Sequence, residues 1–320
     1  MSEMAKIDYR EREKELERKG LYDVDMNEDH RYFDALEIDE NYNYLPTKIT
    51  EKLRRLYVLS VVKVVGPIIT WIGMGAKVKG RKNLRALGKG GAISVCNHVH
   101  NLDTLLMKNA LGPFRVFHTG NYYLLKRGWL GKIFKSGGFL PVGTEISDMR
   151  RLQETVGELV SKGKIVNFYP EHALWPRYEK LRPFKPGAFR YAVKFNVPVL
   201  PVFIEFKMTK LRKLLHRKKK MIVHILPAQY APETGSVRAR AEALCEAVFA
   251  AMRAEGERLY GKNVDCLAQE AEEVRRSVPV AEYNEIGTKL VETGILDGIA
   301  EALRSDDEEE ENCETRTESA

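Results

Sequence analysis

The stretch Cys96-Asn97-His98-Val99-His100-Asn101-Leu102-Asp103 holds the side chains best suited to move a proton or bind a metal. A histidine working as a base needs one acidic partner to fix its tautomer and orientation. His98 and Asp103 are five residues apart, and on a regular helix that spacing turns two side chains about 140° from each other. A turn carrying His98, with Asp103 at the start of a helix, removes that obstacle, and a carboxylate is electrostatically favoured at a helix N-terminus. The second chemistry open to the same residues is a metal site made by His98, His100 and Asp103. It needs further ligands. The other histidines, His30, His118, His172, His216 and His224, are scattered without ligand spacing. The acid–base reading asks for less.

Two more stretches carry reactive or binding side chains. Val166-Asn167-Phe168-Tyr169-Pro170-Glu171 ends an apolar run on a carboxylate, followed by Arg177, Lys180, Arg182 and Lys185 before Gly187-Ala188-Phe189. One carboxylate among cations can orient a hydroxyl beside a phosphate, or simply close a salt-bridged loop. Val197-Pro198-Val199-Leu200-Pro201-Val202 is an apolar strand with two prolines, which points to an edge or an irregular strand.

These residues sit where strands meet helices. Apolar strand candidates are Ala92–Cys96, Phe114–His118, Ile165–Tyr169, Val197–Phe206 and Met221–Leu226, and helix candidates are Asp103–Ala110, Ile146–Lys162, Gly187–Lys194 and an amphipathic pattern over 236–260. Continuous apolar strands alternating with helices predict an α/β fold, a mixed, mainly parallel sheet covered by helices. Such folds place ligands where strand C-termini meet loops and helix starts. Ahead of the alternation, residues 56–76 approach the length of a spanning helix, but Lys63 and Gly66-Pro67 interrupt them. That predicts an N-terminal apolar helix pair lying in a membrane face between flanking cations. The expected organisation is a charged arm over 1–46, the helix pair over 47–76, a main domain over 77–262, helices over 263–304 and an acidic disordered tail over 305–320.

The net charge of +7 conceals an asymmetry. Residues 51–230 carry 34 Lys/Arg against 9 Asp/Glu, while both flanks are acidic. A basic centre suits an acidic partner. Nucleic acid is not expected, because no aromatic-rich strand signature of an RNA-binding module accompanies the charge. The four cysteines form no C-x-x-C pair and the N-terminus has no apolar leader, which predicts a reduced, cytosolic setting without a disulfide framework or secretory signal.

The order Asn97-His98-x4-Asp103, Tyr169-Pro170-Glu171, Lys185-Pro186-Gly187-Ala188-Phe189 and Val197-Pro198-Val199-Leu200-Pro201-Val202 resembles the glycerolipid acyltransferase family, which contains the 1-acyl-sn-glycerol-3-phosphate acyltransferases. The resemblance covers about residues 77–228. It implies a glycerol-3-phosphate acyltransferase-like fold and transfer of a fatty acyl group to a lysophospholipid-like acceptor. The donor would be an acyl carrier protein or coenzyme A thioester, with no cofactor and no metal. It also implies phospholipid biosynthesis at the cytoplasmic face of the cell membrane, on an anionic membrane surface, as a peripheral or monotopic protein. By the same resemblance His98 is the base and Asp103 its orienting partner. Asn97, Glu171, Arg177, Lys185, Gly187 and Pro198 become substrate-binding candidates, with Glu171 toward the acceptor and Pro198 near the acyl donor. Where the family carries Gly-Thr-Arg after the glutamate, this chain reads His172-Ala173-Leu174. The arginine expected at the acceptor phosphate is missing from that position.

Overall fold

Five adjacent strands run in one direction, and those inside the sheet are largely buried on both faces, which is what continuous apolar runs require. The computed structural model describes residues 9–26, 38, 42–122, 125, 128–143 and 145–267. Seven strands, β1 (Lys77–Lys79), β2 (Ala92–Cys96), β3 (Val116–Asn121), β4 (Phe139–Val142), β5 (Ile165–Phe168), β6 (Val199–Lys207) and β7 (Lys220–Ile225), form one sheet in the order β1-β7-β6-β2-β5-β3-β4. β2 through β6 are mutually parallel, while β7 is antiparallel to β6 and β1 is parallel to β7. The mixed, mainly parallel α/β sheet matches the expectation, with the reversal confined to one edge.

Side-chain alternation divides the core into two layers. Ile93, Val95, Phe117, Val166 and Phe203 face α6 (Ile146–Ser161), α7 (Gly187–Lys194) and α9 (Val237–Tyr260), through Leu152, Val156, Phe189, Leu244 and Val248. Ala92, Cys96, Val116, Ile165 and Val202 face the opposite way, onto Leu106, Met107, Ala110 and Leu111 of α4 (Asp103–Leu111). Burying a side chain of this kind contributes about 1.5–3 kcal/mol, so the two layers dominate the stability of the sheet that carries the site. Lys108 of α4 is buried among them, its ammonium donating to the Val116 carbonyl at 3.2 Å. Desolvation, with the Arg55 charge as a smaller cause, pulls its pKa down to about 7.

The apolar N-terminal stretch corrects the expected helix pair. It is one helix, α2 (Ile49–Met74), 26 residues long with Pro67 inside. A proline in a helix interior removes a hydrogen bond and costs about 3 kcal/mol or more. Here the neighbouring contacts offset that cost. The Thr70 hydroxyl donates to the Gly66 carbonyl at 3.0 Å and accepts from the Asn109 side-chain amide of α4 at 2.9 Å. Gly66 lets α2 and α4 approach closely, because a Cβ there would lie 2.9 Å from Asn109 Oδ1. α2 is long and apolar enough to cross a membrane. Yet Leu59, Gly66 and Thr70 are buried against the body, while Leu56, Tyr57, Val64, Ile68, Trp71 and Ile72 are exposed.

The prolines fall differently from expectation. β6 lies inside the sheet rather than at its edge. It tolerates Pro201 because the proline sits just beyond the Val202–Ile225 pairing, where β7 has ended, and only its carbonyl is used, by the Leu226 amide at 2.9 Å. The true edge strand with a proline is β4, through Pro141. The N-terminal arm also holds more structure than its charge suggests: α1 (Tyr9–Arg18) buries Leu16. Beyond Leu267, the helices expected over 263–304 and the tail over 305–320 lie outside the described residues.

Candidate functional site

β2 ends at Cys96 and the chain turns through Asn97–Leu102 into α4, whose first residue is Asp103. One oxygen of the buried Asp103 organises the turn. Its Oδ2 accepts from His98 Nδ1 at 3.0 Å, from the Val99 amide at 2.8 Å and from the His100 amide at 2.9 Å. Two backbone amides at a helix start fix the position of the carboxylate. A carboxylate can only accept, so the hydrogen bond assigns the proton to His98 Nδ1 and leaves Nε2 with a free lone pair. The ring stacks on Tyr169 at a centroid distance of 3.9 Å and an interplanar angle of 17°. The His98 side chain keeps 23% of its surface exposed while that of Asp103 keeps 1%. A basic nitrogen therefore faces outward from a fixed, shielded support, which is the arrangement for taking a proton from a docked hydroxyl.

The backbone of His98 is pinned as firmly as its ring. Its amide donates to Glu171 Oε2 at 3.1 Å, and its carbonyl accepts from the Trp175 amide at 3.1 Å and from Arg182 Nη2 at 3.4 Å. Glu171 and Arg182 form an ion pair at 2.7 Å with both side chains fully buried. The second Glu171 oxygen accepts from the Arg182 amide at 3.1 Å, and Arg182 also donates to the Ala173 carbonyl at 2.6 Å and the Tyr22 carbonyl at 2.9 Å. Tyr22 belongs to the N-terminal arm. The same arm accepts from Trp175 Nε1 at the Val24 carbonyl (2.8 Å) and from the Tyr178 hydroxyl and Lys180 at Glu17 (2.7 and 2.8 Å). Leu16, Tyr22 and Met26 bury themselves against Ala173, Trp175 and Tyr178. The arm is thus a brace on the loop that holds His98.

Residues 75–205 match the Acyltransferase family. That stretch carries an acyltransferase domain. Curated relatives include the 1-acyl-sn-glycerol-3-phosphate acyltransferase of Escherichia coli K12, 29% identical over 157 residues, 48% of this chain and 62% of that enzyme. The protein of that name from Salmonella typhimurium is 28% identical over 170 residues, 52% of this chain and 68% of its own length. The chain therefore spans somewhat less than two thirds of the Escherichia coli relative. Among solved structures, the 1-acyl-sn-glycerophosphate (LPA) acyltransferase PlsC of Thermotoga maritima aligns with a TM-score of 0.49 at 22% identity, covering 68% of this chain and 87% of that one.

Within the acyltransferase domain the expected site residues scatter over several environments. His98, Asp103 and Glu171 come together. The Glu171 carboxylate, however, is already committed to Arg182 and to the His98 amide rather than open to a ligand. Asn97 is buried and clamps β6, accepting from the Ile204 amide at 2.8 Å and donating to its carbonyl at 3.2 Å. Arg177 is exposed, and its amide donates to the Val99 carbonyl at 2.8 Å, which sets its side chain beside the His98 turn. Lys185 pairs with Asp23 of the arm at 3.1 Å. Gly187 opens α7 and is exposed. Pro198 is not brought to His98. Its carbonyl accepts from Ile93 at the start of β2, a strand's length, about 13 Å, from the turn.

His100 does not join His98 and Asp103 as a ligand set, since its Nδ1 accepts from the Leu102 amide at 3.1 Å. Among the described residues no group of three His, Cys, Asp or Glu is placed to hold a metal. Three contributors were given no place in the site by the sequence: Tyr169 stacked on the His98 ring, Arg182 bonded to the His98 carbonyl, and the arm's carbonyls. Tyr169 was visible in the Tyr-Pro-Glu motif. Backbone carbonyls of a charged arm leave no signal in residue type.

Proposed function

We propose that the chain is a membrane-associated O-acyltransferase of phospholipid biosynthesis. It moves a fatty acyl group from an acyl carrier protein or coenzyme A thioester to the free hydroxyl of lysophosphatidic acid or a similar lysolipid. His98 Nε2 accepts the hydroxyl proton as the oxygen attacks the thioester carbonyl. The O–C bond forms, the C–S bond breaks, and the leaving thiolate takes the proton back from His98. Asp103 holds the imidazole tautomer and stabilises its cation. The thioester supplies a good leaving group, so most of the rate gain comes from orienting hydroxyl, base and carbonyl. The observation that carries the reading is His98 Nδ1 bonded to a buried Asp103 while the ring stays partly exposed.

Arg177, exposed beside the His98 turn, is the candidate for the acceptor phosphate in place of the family's arginine. Lys185, paired with Asp23, and Gly187, exposed at the start of α7, are further candidates for contact with substrate. Glu171 and Asn97 act by positioning rather than by touching substrate. The exposed apolar face of α2, within the docking segment 47–76, lies in the cytoplasmic face of an anionic membrane. The acyltransferase unit occupies 77–262.

The decisive experiment supplies purified protein with both donors and a panel of lysolipids in mixed micelles, and identifies products by mass spectrometry. A diacyl product that appears with wild type and is lost with His98→Ala is expected. Thioester hydrolysis without an acylated lipid, or full transfer by His98→Ala, overturns the reading.

A further inference from the structure

The segment between β6 and β7 is the most basic stretch of the chain. Residues Lys207–Lys220 hold eight Lys/Arg and no acidic residue. Among the described residues two carboxylates pair with them, Glu205 with Lys207 and Glu179 with Lys219. Among the described residues no carboxylate pairs with Lys210, Lys213, Arg217 or Lys218. The same segment exposes large apolar side chains. Around the short α8 (Lys210–Leu214), Leu211 is 64% exposed, Leu214 74% and Leu215 54%, with Met208 beside them. Nothing in the core needs these leucines outside.

Topology gives the segment a direction. β6 runs parallel to β2 with Val202 level with Cys96, then continues five residues to Lys207, about 16 Å further along the strand. The segment therefore rises from the C-terminal end of the parallel strands, where His98 stands. Its Arg212 guanidinium lies against Gly75, the C-cap of α2, where a Cβ would collide with Nη2. The exposed Trp71 and Ile72 at that end of α2 continue the apolar surface.

We propose that Lys207–Lys220 is a second docking element for an anionic lipid bilayer, seating the rim of the His98 site on the membrane beside α2. A nucleic acid backbone would use the cations but not the leucines. A bilayer uses both, with leucines at the acyl boundary and cations at the headgroups. The inference rests on the membrane-enzyme reading for its purpose, but its test requires no turnover.

The full chain is floated with vesicles of phosphatidylcholine alone and of phosphatidylcholine with phosphatidylglycerol. Two surface variants are compared with it. One is Lys210→Gln with Lys213→Gln, Arg217→Gln and Lys218→Gln; the other is Leu211→Ser with Leu214→Ser and Leu215→Ser. Thermal melts verify that both keep the wild-type fold. The charge variant is expected to lose about ten-fold or more in binding to phosphatidylglycerol vesicles and no measurable binding to phosphatidylcholine. The leucine variant is expected to weaken on both. Wild-type binding by either variant overturns the proposal. So does unchanged vesicle binding accompanied by lost capture of acyl carrier protein, which assigns the segment to a protein partner. A chain that binds vesicles through this segment yet transfers no acyl group leaves the inference standing and removes the proposed function.

Discussion

Two histidines of this molecule sit beside carboxylates, and they are built for opposite ends. His98 uses one ring nitrogen on Asp103 and keeps part of its surface open. His224, on β7, is buried with both nitrogens engaged: Nε2 lies 2.8 Å from Glu205 and Nδ1 3.1 Å from Glu255 of α9. When both nitrogens donate to carboxylates the ring has no lone pair to offer. It ties β6, β7 and α9 together inside the protein, with Arg258 bonding Glu255 from outside and holding its carboxyl below the usual range. The same residue pair therefore marks the proposed base in one place and a fastener in the other. The second ring nitrogen decides which.

The largest expected effect tests that distinction directly. His98→Ala should cost about 10²–10⁴-fold in acyl transfer, the ordinary span of a general base, with little change in melting temperature. A large loss of stability with activity retained would make His98 a fastener like His224. Glu171→Gln should be nearly as severe but of the other kind. It leaves the Arg182 charge buried and weakly compensated, which costs about 3–5 kcal/mol, read as a lower midpoint in chemical denaturation. An unaltered midpoint would mean that the pair does not brace the His98 loop.

Asp103→Asn should lower kcat by about 10²-fold with KM little changed, because it frees the tautomer without removing the base. A change confined to KM would move Asp103 from the proton path to substrate binding. His224→Gln should cost about 1–3 kcal/mol of stability by unpairing two carboxylates, while transfer in micelles stays within a few fold of wild type. Loss of turnover without loss of stability would erase the contrast between the two histidines.

The smallest effect extends the comparison to Lys108, which is buried against a carbonyl rather than paired with a carboxylate among the described residues. Its folded pKa of about 7 lies below the ordinary 10.5. Between those values the unfolded chain binds more protons than the folded one, so stability rises with pH through that window and is flat below it. Lys108→Met should remove that rise, seen as a flatter melting temperature against pH. An unchanged slope would assign the rise to other groups.

The fold was legible where burial was uniform. Ala92–Cys96 and Gly187–Lys194 begin and end where the sequence pattern predicts, because apolar runs between turn residues leave the chain little choice. β1 and β4 were missed, being three and four residues long and held by their neighbours rather than by their own composition. The break expected at Gly66-Pro67 failed because helix continuity depends on Thr70 and Asn109 across an interface, which local propensity does not see. Within the site, His98 and Asp103 were visible as types at a spacing. The commitment of Glu171 to Arg182 was not, since they lie eleven positions apart along a loop and several cations competed for the role.

The arm that braces the His98 loop has a consequence for how the protein comes into being. Its contacts join residues 151 to 163 positions apart, from Val24 to Trp175 and from Glu17 to Tyr178 and Lys180. Closures that span so much chain form late, after nearer pairings have already shortened the path. The sheet would thus assemble before the arm arrives, and competence would trail secondary structure during refolding, with residues 9–26 setting the delay.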